Sequence, residues 1–86
     1  MSLVATYSIP HNSDDDFPST MLVNGETLYI GDEMGTIHMF SIETGDSTGQ
    51  IRPPHITGAA RTLLYHNNKL FLQTLQGEVY VWKVIS

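Results

Sequence analysis

The chain of 86 residues contains no cysteine, only four basic residues and no long apolar run. Without cysteine, neither disulfides nor a thiolate metal site can support so small a core, so its stability must come from packing. No apolar stretch approaches the roughly 18 residues that a membrane-spanning helix requires. The first residues carry no positive charge, which argues against a secretory signal. We therefore expect a soluble, intracellular protein, with the cytoplasm as its default location.

Positive charge is scarce and dispersed. Nine acidic residues outnumber the four basic ones and give a net charge of -5. Proteins that bind a phosphate backbone cluster Lys and Arg on one surface. The cations here are spread along the chain, at Arg52, Arg61, Lys69 and Lys83. Neither nucleic acid nor an anionic membrane is therefore an expected partner.

The chain contains an internal sequence repeat. Residues 23–42 and 65–84 align at a constant offset of 42 residues, with two glycines in register at Gly35 and Gly77. A fixed period of this length is typical of propeller blades and other stacked units that cannot bury an apolar face alone. The pairs that define the offset are Leu28 with Leu70, Ile37 with Val79, and Phe40 with Trp82.

Each repeat predicts three antiparallel strands. Alternation of side chains indicates strands at 36–42 and 78–84, and the glycine before each supplies a tight turn. Shorter apolar runs at 27–31 and 69–73 precede them. Runs at 20–23 and 62–65 come earlier still, separated from the second runs by Asn24-Gly25 and Asn67-Asn68, which are hairpin signals.

A fourth strand is predicted before each set of three. Residues 6–11 resemble residues 50–55, and the prolines in both confine the segment to a sheet edge or a strand end. The chain then reads d-a-b-c-d-a-b-c, with strand a innermost and strand d outermost in a four-stranded blade. We expect an all-β fold in which residues 1–86 form one unit of two blades, with repeats at about 6–42 and 50–84.

These residues resemble the blades of WD-repeat propellers and, as a second choice, those of quinoprotein-like propellers. The resemblance covers nearly the whole chain and depends on residues 28–45 and on residues 69–82, which end with Trp82. Both copies depart from the WD pattern. Ser41 and Lys83 stand where the family has its aspartate after the aromatic residue, and Met34 and Gln76 stand at the turn position of its buried aspartate. His11 and His55 occupy the place of its Gly-His pair.

The resemblance implies a non-catalytic protein-interaction scaffold. No histidine lies in an arrangement with a serine and an acid that strands would bring together, so we expect no enzyme activity and no cofactor. The alternative, a quinoprotein-like role in cofactor binding or membrane assembly, implies ligands around a central metal and quinone, for which no matching set of residues is visible.

Three consecutive aspartates and two turn residues are candidate contacts for a protein partner. The aspartates, Asp14 to Asp16, are the only run of charge in the sequence. They lack the alternating ligands and the glycine turn of a calcium loop, so a solvated loop is the simplest interpretation. With the apolar residue that follows it, the run could instead form a partner contact beside two exposed turn residues. The candidates are Asp14, Asp15, Asp16, Phe17, Met34 and Leu75.

Two blades are too few to close a ring, so the sequence predicts that other chains complete it. Three copies would give six blades and four would give eight, with the first strand of one copy pairing beside the last strand of the next. The residues assigned to this closure are Tyr7, Ile9, Val79, Val81 and Trp82. The blades could also complete a larger propeller, or the strands could form an independent β-sandwich.

Overall fold

The computed structural model describes residues 1–3, 6–7, 18–54 and 58–84. These residues form strands and turns and contain no helix. The described part of the chain therefore has no helix that could cross a membrane. The prediction of an all-β chain is confirmed. The seven strands are β1 (Pro18–Asn24), β2 (Thr27–Asp32), β3 (Ile37–Ser41), β4 (Ser47–Ile51), β5 (Ala60–His66), β6 (Lys69–Thr74) and β7 (Val79–Lys83).

The strands form two antiparallel sheets in simple chain order. The first sheet has the order β1-β2-β3-β4 and the second has the order β5-β6-β7. Strands β1 and β4 are therefore the edge strands of the first sheet. Among the described residues the second sheet has three strands, with β5 and β7 at its edges. An edge strand is a place where another strand can pair.

Two-residue hairpin turns join the first two strands of each sheet. Asn67 and Asn68 both have positive φ, at 51° and 63°. This is the type I′ geometry, which favours asparagine. In the first sheet Asn24 pairs with Thr27, so the central residues are Gly25 and Glu26. The sequence predicted Asn24-Gly25 at the centre of this turn, and the observed centre lies one residue later. Gly25, at φ 58°, supplies the positive φ in this hairpin.

Strand pairing repeats with the constant offset of the sequence. Leu28 pairs with Phe40 in the first sheet and Leu70 pairs with Trp82 in the second. The register shifts at the same place in β1 and β5, and the β2–β3 and β6–β7 turns close with matching backbone hydrogen bonds. Gly35 and Gly77 have φ values of 84° and 90° in those turns. Residues with a Cβ rarely adopt this region.

The outer strands differ most from the prediction. The expected strand at residues 50–55 is β4, which begins earlier and ends at Ile51. Pro53 and Pro54 have no N–H to donate to a neighbouring strand, which explains why pairing stops before them. Of the strand expected at residues 6–11, Thr6 and Tyr7 are described and lie outside any strand, and the remainder falls outside the described residues.

Candidate interaction surfaces

Each sheet has two faces, which the pairing of strands defines. In the first sheet Leu22 pairs with Tyr29, which pairs with Met39, so these three side chains share a face. This inner face packs against the second sheet in one apolar core. Its members are Leu22, Tyr29, Ile37, Met39 and Ile51, and the second sheet contributes Ala60, Leu63, Leu70, Leu72, Tyr80, Trp82 and Val84.

The two sheets approach most closely where β1 and β2 meet β5. A Cβ atom placed on Gly31 would lie only 2.6 Å from the Cβ of Ala60, so only glycine fits there without movement. Ser19 Oγ lies 2.6 Å from the carbonyl oxygen of Ala60 and donates a hydrogen bond to it. This short bond fixes the starts of β1 and β5 side by side, and a glycine beneath Ala60 lets the backbones come close.

The opposite face of the first sheet, here the first outer face, is partly covered. Its apolar members are Met21, Val23, Leu28, Ile30 and Phe40, and His38, which pairs with Ile30, lies on the same face. Met21 is 67 % exposed and Val23 is 53 % exposed, whereas the three apolar side chains on β2 and β3 are buried. Tyr7 packs against those three, with its ring centroid 5.5 Å from that of Phe40, and its hydroxyl donates to the carbonyl of Ile42 at 3.3 Å. Tyr7 thus covers the centre of this face.

An open hollow of about 390 Å³ lies beside the uncovered part of the first outer face. Pro18, Ser19, Thr20, Met21 and Ile30 line it, and its lining is mainly apolar. The hollow therefore adjoins the place where the two sheets approach most closely. Its shape and composition suit an inserted side chain from a neighbouring chain better than a charged ligand.

The second outer face belongs to the second sheet, and three of its apolar side chains are at least half exposed. Leu64 is 59 % exposed, Val79 is 60 % exposed and Val81 is 50 % exposed. A shallower hollow of about 180 Å³ lies among Thr62, Leu64, Phe71, Gln73 and Val79. The face comprises these residues with Val81, and Lys69 and Lys83 pair opposite each other at its end. An apolar centre with charge at its rim is the usual anatomy of a protein interface.

A buried aspartate–histidine pair holds the turn between β2 and β3. The Oδ2 atom of Asp32 lies 2.8 Å from Nε2 of His38, and both side chains are almost fully buried. The Oδ1 atom of Asp32 accepts hydrogen bonds from the backbone N–H groups of Met34 and Thr36, both at 2.9 Å. An ionised carboxylate only accepts, so His38 Nε2 carries the hydrogen in this contact. One side chain therefore satisfies three donors.

The polar contacts extend from this pair to the outer strand. Nδ1 of His38 lies 3.4 Å from the side-chain nitrogen of Gln50, which donates to it when Nδ1 is unprotonated. The Oε1 atom of Gln50 accepts from Arg52 at 3.4 Å. These bonds join β2, β3 and β4 across the first sheet. Beyond Nδ1 the chain of contacts consists of the Gln50 amide and the Arg52 guanidinium.

The second repeat forms the same turn with different chemistry. Thr74 takes the place of Asp32 and is buried, and its hydroxyl contacts both the backbone N–H and the carbonyl of Glu78. Tyr80 takes the place of His38. Burial raises the pKa of the Tyr80 hydroxyl, and its hydrogen bond to Glu78 and the charge of that carboxylate raise the pKa further. A neutral threonine and tyrosine thus replace the aspartate–histidine pair.

Sequence reasoning missed the Asp32–His38 pair. It compared the buried aspartate of the WD family with Met34, two residues later than the aspartate that receives hydrogen bonds from this turn. The signal that could have found the pair is local. Asp32 comes three residues before Gly35, and His38 lies opposite β2 at a position that faces the same side as Asp32. His11 and His55 lie outside the described residues.

The candidate partner contacts are only partly described. Met34 and Leu75 lie in the β2–β3 and β6–β7 turns, and both are exposed. Asp14, Asp15, Asp16 and Phe17 lie outside the described residues, as does Ile9. Of the closure residues, Val79 and Val81 are exposed on the second outer face, whereas Trp82 faces the inner core and stacks with Tyr80, with ring centroids 6.0 Å apart.

No group of three or more His, Cys, Asp or Glu side chains in the described ranges could hold a metal ion. Comparison of the chain with protein-family models, curated proteins and solved structures found no match. The chain's own repeat is therefore the reference against which its surfaces can be interpreted.

Proposed function

We propose that this chain is a non-catalytic protein-interaction scaffold whose two sheets act as WD-like propeller blades, completed by copies of itself or by a partner chain. The observation that supports this proposal is the exposure of apolar side chains on both outer faces. On the first outer face Met21 and Val23 are exposed beside the buried cluster of Leu28, Ile30 and Phe40, and on the second outer face Leu64, Val79 and Val81 are exposed. Large exposed apolar patches mark interaction sites. Single exposed apolar residues are common, but these occupy adjacent positions on paired strands.

The matched geometry of the two repeats supports the blade assignment. Stacked repeats use the same strand order and register in each unit, and each unit packs only on its neighbours. Both sheets here start with the strand that lies at the inter-sheet contact and proceed outward in chain order. A strand from another chain would extend the second sheet beside β7, an edge strand among the described residues.

The exposed turns provide the surface for a target in this scaffold. Met34 and Leu75 each project from the turn that joins the second and third strands of a sheet. With Asp14, Asp15, Asp16 and Phe17, they would form an apolar contact bordered by acid. A target segment with basic and apolar side chains complements such a surface.

Light scattering tests the proposal by measuring the mass of the purified chain across the micromolar range, together with binding of a hydrophobic dye. We expect either an assembly larger than the 9.6 kDa chain or a monomer that binds the dye strongly. A compact monomer that binds no dye would contradict the scaffold proposal, because its outer faces would then need no partner.

A further inference from the structure

The two outer faces match the two sides of the inner interface, residue for residue. On the second outer face, Leu64, Phe71, Val79 and Val81 are the repeat equivalents of Leu22, Tyr29, Ile37 and Met39. On the first outer face, Met21, Leu28, Ile30 and Phe40 are the equivalents of Leu63, Leu70, Leu72 and Trp82. All of these equivalents belong to the core between the sheets.

We propose that the second outer face of one chain docks on the first outer face of a second copy, in the register with which the two sheets pack inside one chain. This inference rests on the proposed function and names its partner. Inside the chain, the two faces that pack together are not equivalent in the repeat. A contact of the same kind between two chains therefore joins different faces and is head-to-tail. Such a contact closes a ring when the rotation between copies permits it.

At one contact the outer faces carry larger residues than the inner interface, and a hollow on the surface leaves room for them. Inside the chain Gly31 lies against Ala60 with no room for a Cβ atom. Their equivalents on the outer faces are Gln73 and Pro18, which are larger. The hollow of about 390 Å³ lies beside Pro18, and Gln73 is exposed on the second outer face. The Gln73 side chain of one copy therefore enters the hollow of the next.

Tyr7 competes with the incoming copy. Its side chain packs against the cluster of Leu28, Ile30 and Phe40, and its ring contacts that of Phe40. In the inner interface, the equivalents of these three residues are covered by side chains of the other sheet. Docking therefore displaces Tyr7 from Phe40. Tyr7 also belongs to the segment that the sequence predicts to pair with β7 of a neighbouring copy.

The size of the assembly follows from two sheets per chain. Closed propellers contain roughly 4 to 8 blades. A homomeric ring of this chain therefore contains two, three or four copies and an even number of sheets. An intermediate with unpaired outer faces at its ends would continue to add copies until it closes.

Two single substitutions separate the two faces. Met21→Glu places a carboxylate on the first outer face, and Leu64→Glu places one on the second. Both residues are more than half exposed in the single chain, so the substitutions leave its core intact. Burial of an unpaired charge in the docked interface weakens self-association by at least about 100-fold. Each variant alone is expected to be monomeric by light scattering.

Mixing the two variants gives the decisive result. Met21→Glu retains an intact second outer face and Leu64→Glu retains an intact first outer face, so one contact between them remains. We expect the equimolar mixture to form a species of two chains and nothing larger. A symmetric contact between like faces would not produce this complementation, since each variant would lose or keep its own dimer independently of the other.

Leu3→Glu is the matched control, because Leu3 is 86 % exposed near the start of the chain and lies on neither outer face. It is expected to assemble as the wild type does. The fluorescence of Trp82, the only tryptophan, verifies that each variant has formed the inner core. If Leu64→Glu fails to fold, Val79→Glu on the edge strand replaces it.

Three outcomes overturn the proposal: a wild type that stays monomeric, variants that assemble as the wild type does, or folded variants whose mixture stays monomeric. The dye measurement then distinguishes the two proposals. A monomeric wild type that binds the dye removes the second copy as the partner and leaves the scaffold proposal standing. A monomer that binds no dye removes both.

Discussion

Gly31 lies directly against Ala60, and a Cβ atom added to Gly31 would be 2.6 Å from the Cβ of Ala60 and 2.9 Å from Cγ2 of Thr20. The Cβ of Ala60 is fixed by the backbone of β5, and Cγ2 of Thr20 belongs to a short, β-branched side chain. The contact joins the first sheet to the second at the point where Ser19 also donates a hydrogen bond to the Ala60 carbonyl. The spacing of the two sheets therefore depends on the missing side chain at position 31.

Gly31→Ala is expected to lower the free energy of unfolding by about 1 to 3 kcal/mol, since the added methyl group overpacks a rigid contact. Urea denaturation followed by Trp82 fluorescence measures this change. Thr48→Ala, at an exposed position in β4, is the control. Its stability is expected to stay within about 0.5 kcal/mol of the wild type, as is usual for surface substitutions. Equal stability of Gly31→Ala and the wild type would show that the sheets can separate at this point without cost.

The sequence predicted the six strands other than β4 to within about two residues, because their alternation and turns are local signals. Asn67-Asn68 indicated a hairpin, and the constant offset indicated that the two sheets share one register. These features need no knowledge of the distant parts of the chain. The fourth strand was predicted too late, at residues 50–55, because the prediction relied on the resemblance between the two proline-containing segments. The observed strand β4 ends at Ile51, before the prolines.

The packing of the sheets could not be predicted in the same way. Nothing adjacent to Gly31 in the sequence indicates Ala60, which belongs to the other repeat and contacts Gly31 only after both sheets form. The Tyr7–Phe40 contact is also distant in sequence and depends on which face of the first sheet remains uncovered. Asp32 and His38 are only six residues apart in the sequence. The pair was missed because the alignment with WD repeats matched the family's turn aspartate to Met34 instead of Asp32.

Asp32→Ala is expected to destabilise the chain by about 3 kcal/mol. The substitution leaves His38 and the N–H groups of Met34 and Thr36 without their shared acceptor in a buried site. Asp32→Asn retains a carbonyl oxygen for the turn but turns its amide N–H toward His38 Nε2, so it should also lose stability, though less than Asp32→Ala. Denaturation of the two variants under identical conditions measures the difference. If the alanine and asparagine variants were equally stable, the hydrogen bonds of the turn would contribute nothing to the free energy of unfolding.

Alkaline pH is expected to weaken the fold through two tyrosines. Burial raises the pKa of Tyr29 above its ordinary value, with a further contribution from the charge of Tyr65. Burial and Glu78 raise the pKa of Tyr80 in the same direction. A raised pKa in the folded chain means that the unfolded chain ionises first, at about pH 10. The stability is therefore complete below about pH 10 and falls as the pH rises above it.

Absorbance of the ionised phenol and denaturation measured from about pH 8 to about pH 12 test this expectation. Tyr80→Phe removes one of the two raised groups and should reduce the loss of stability above about pH 10. Tyr7→Phe, which alters an exposed hydroxyl, serves as the control. If Tyr29 and Tyr80 of the folded chain ionise at the pH of free tyrosine, burial raises the pKa of neither group.

Tyr7→Ala is expected to increase self-association, although it removes an apolar contact. The substitution uncovers Leu28, Ile30 and Phe40, the centre of the surface on which a second copy is proposed to dock. Because docking must otherwise displace the Tyr7 ring, its removal lowers the cost of assembly while it destabilises the single chain. Sedimentation or light scattering at matched concentrations measures the shift toward larger species.

The matched control for this substitution is Tyr7→Phe, which retains the ring and loses only the exposed bond to the Ile42 carbonyl. An exposed hydrogen bond contributes little to stability because water replaces the lost partner, so this variant should assemble like the wild type. A Tyr7→Ala variant that folds and associates more weakly than Tyr7→Phe would mean that the ring is part of the docking surface and not its competitor.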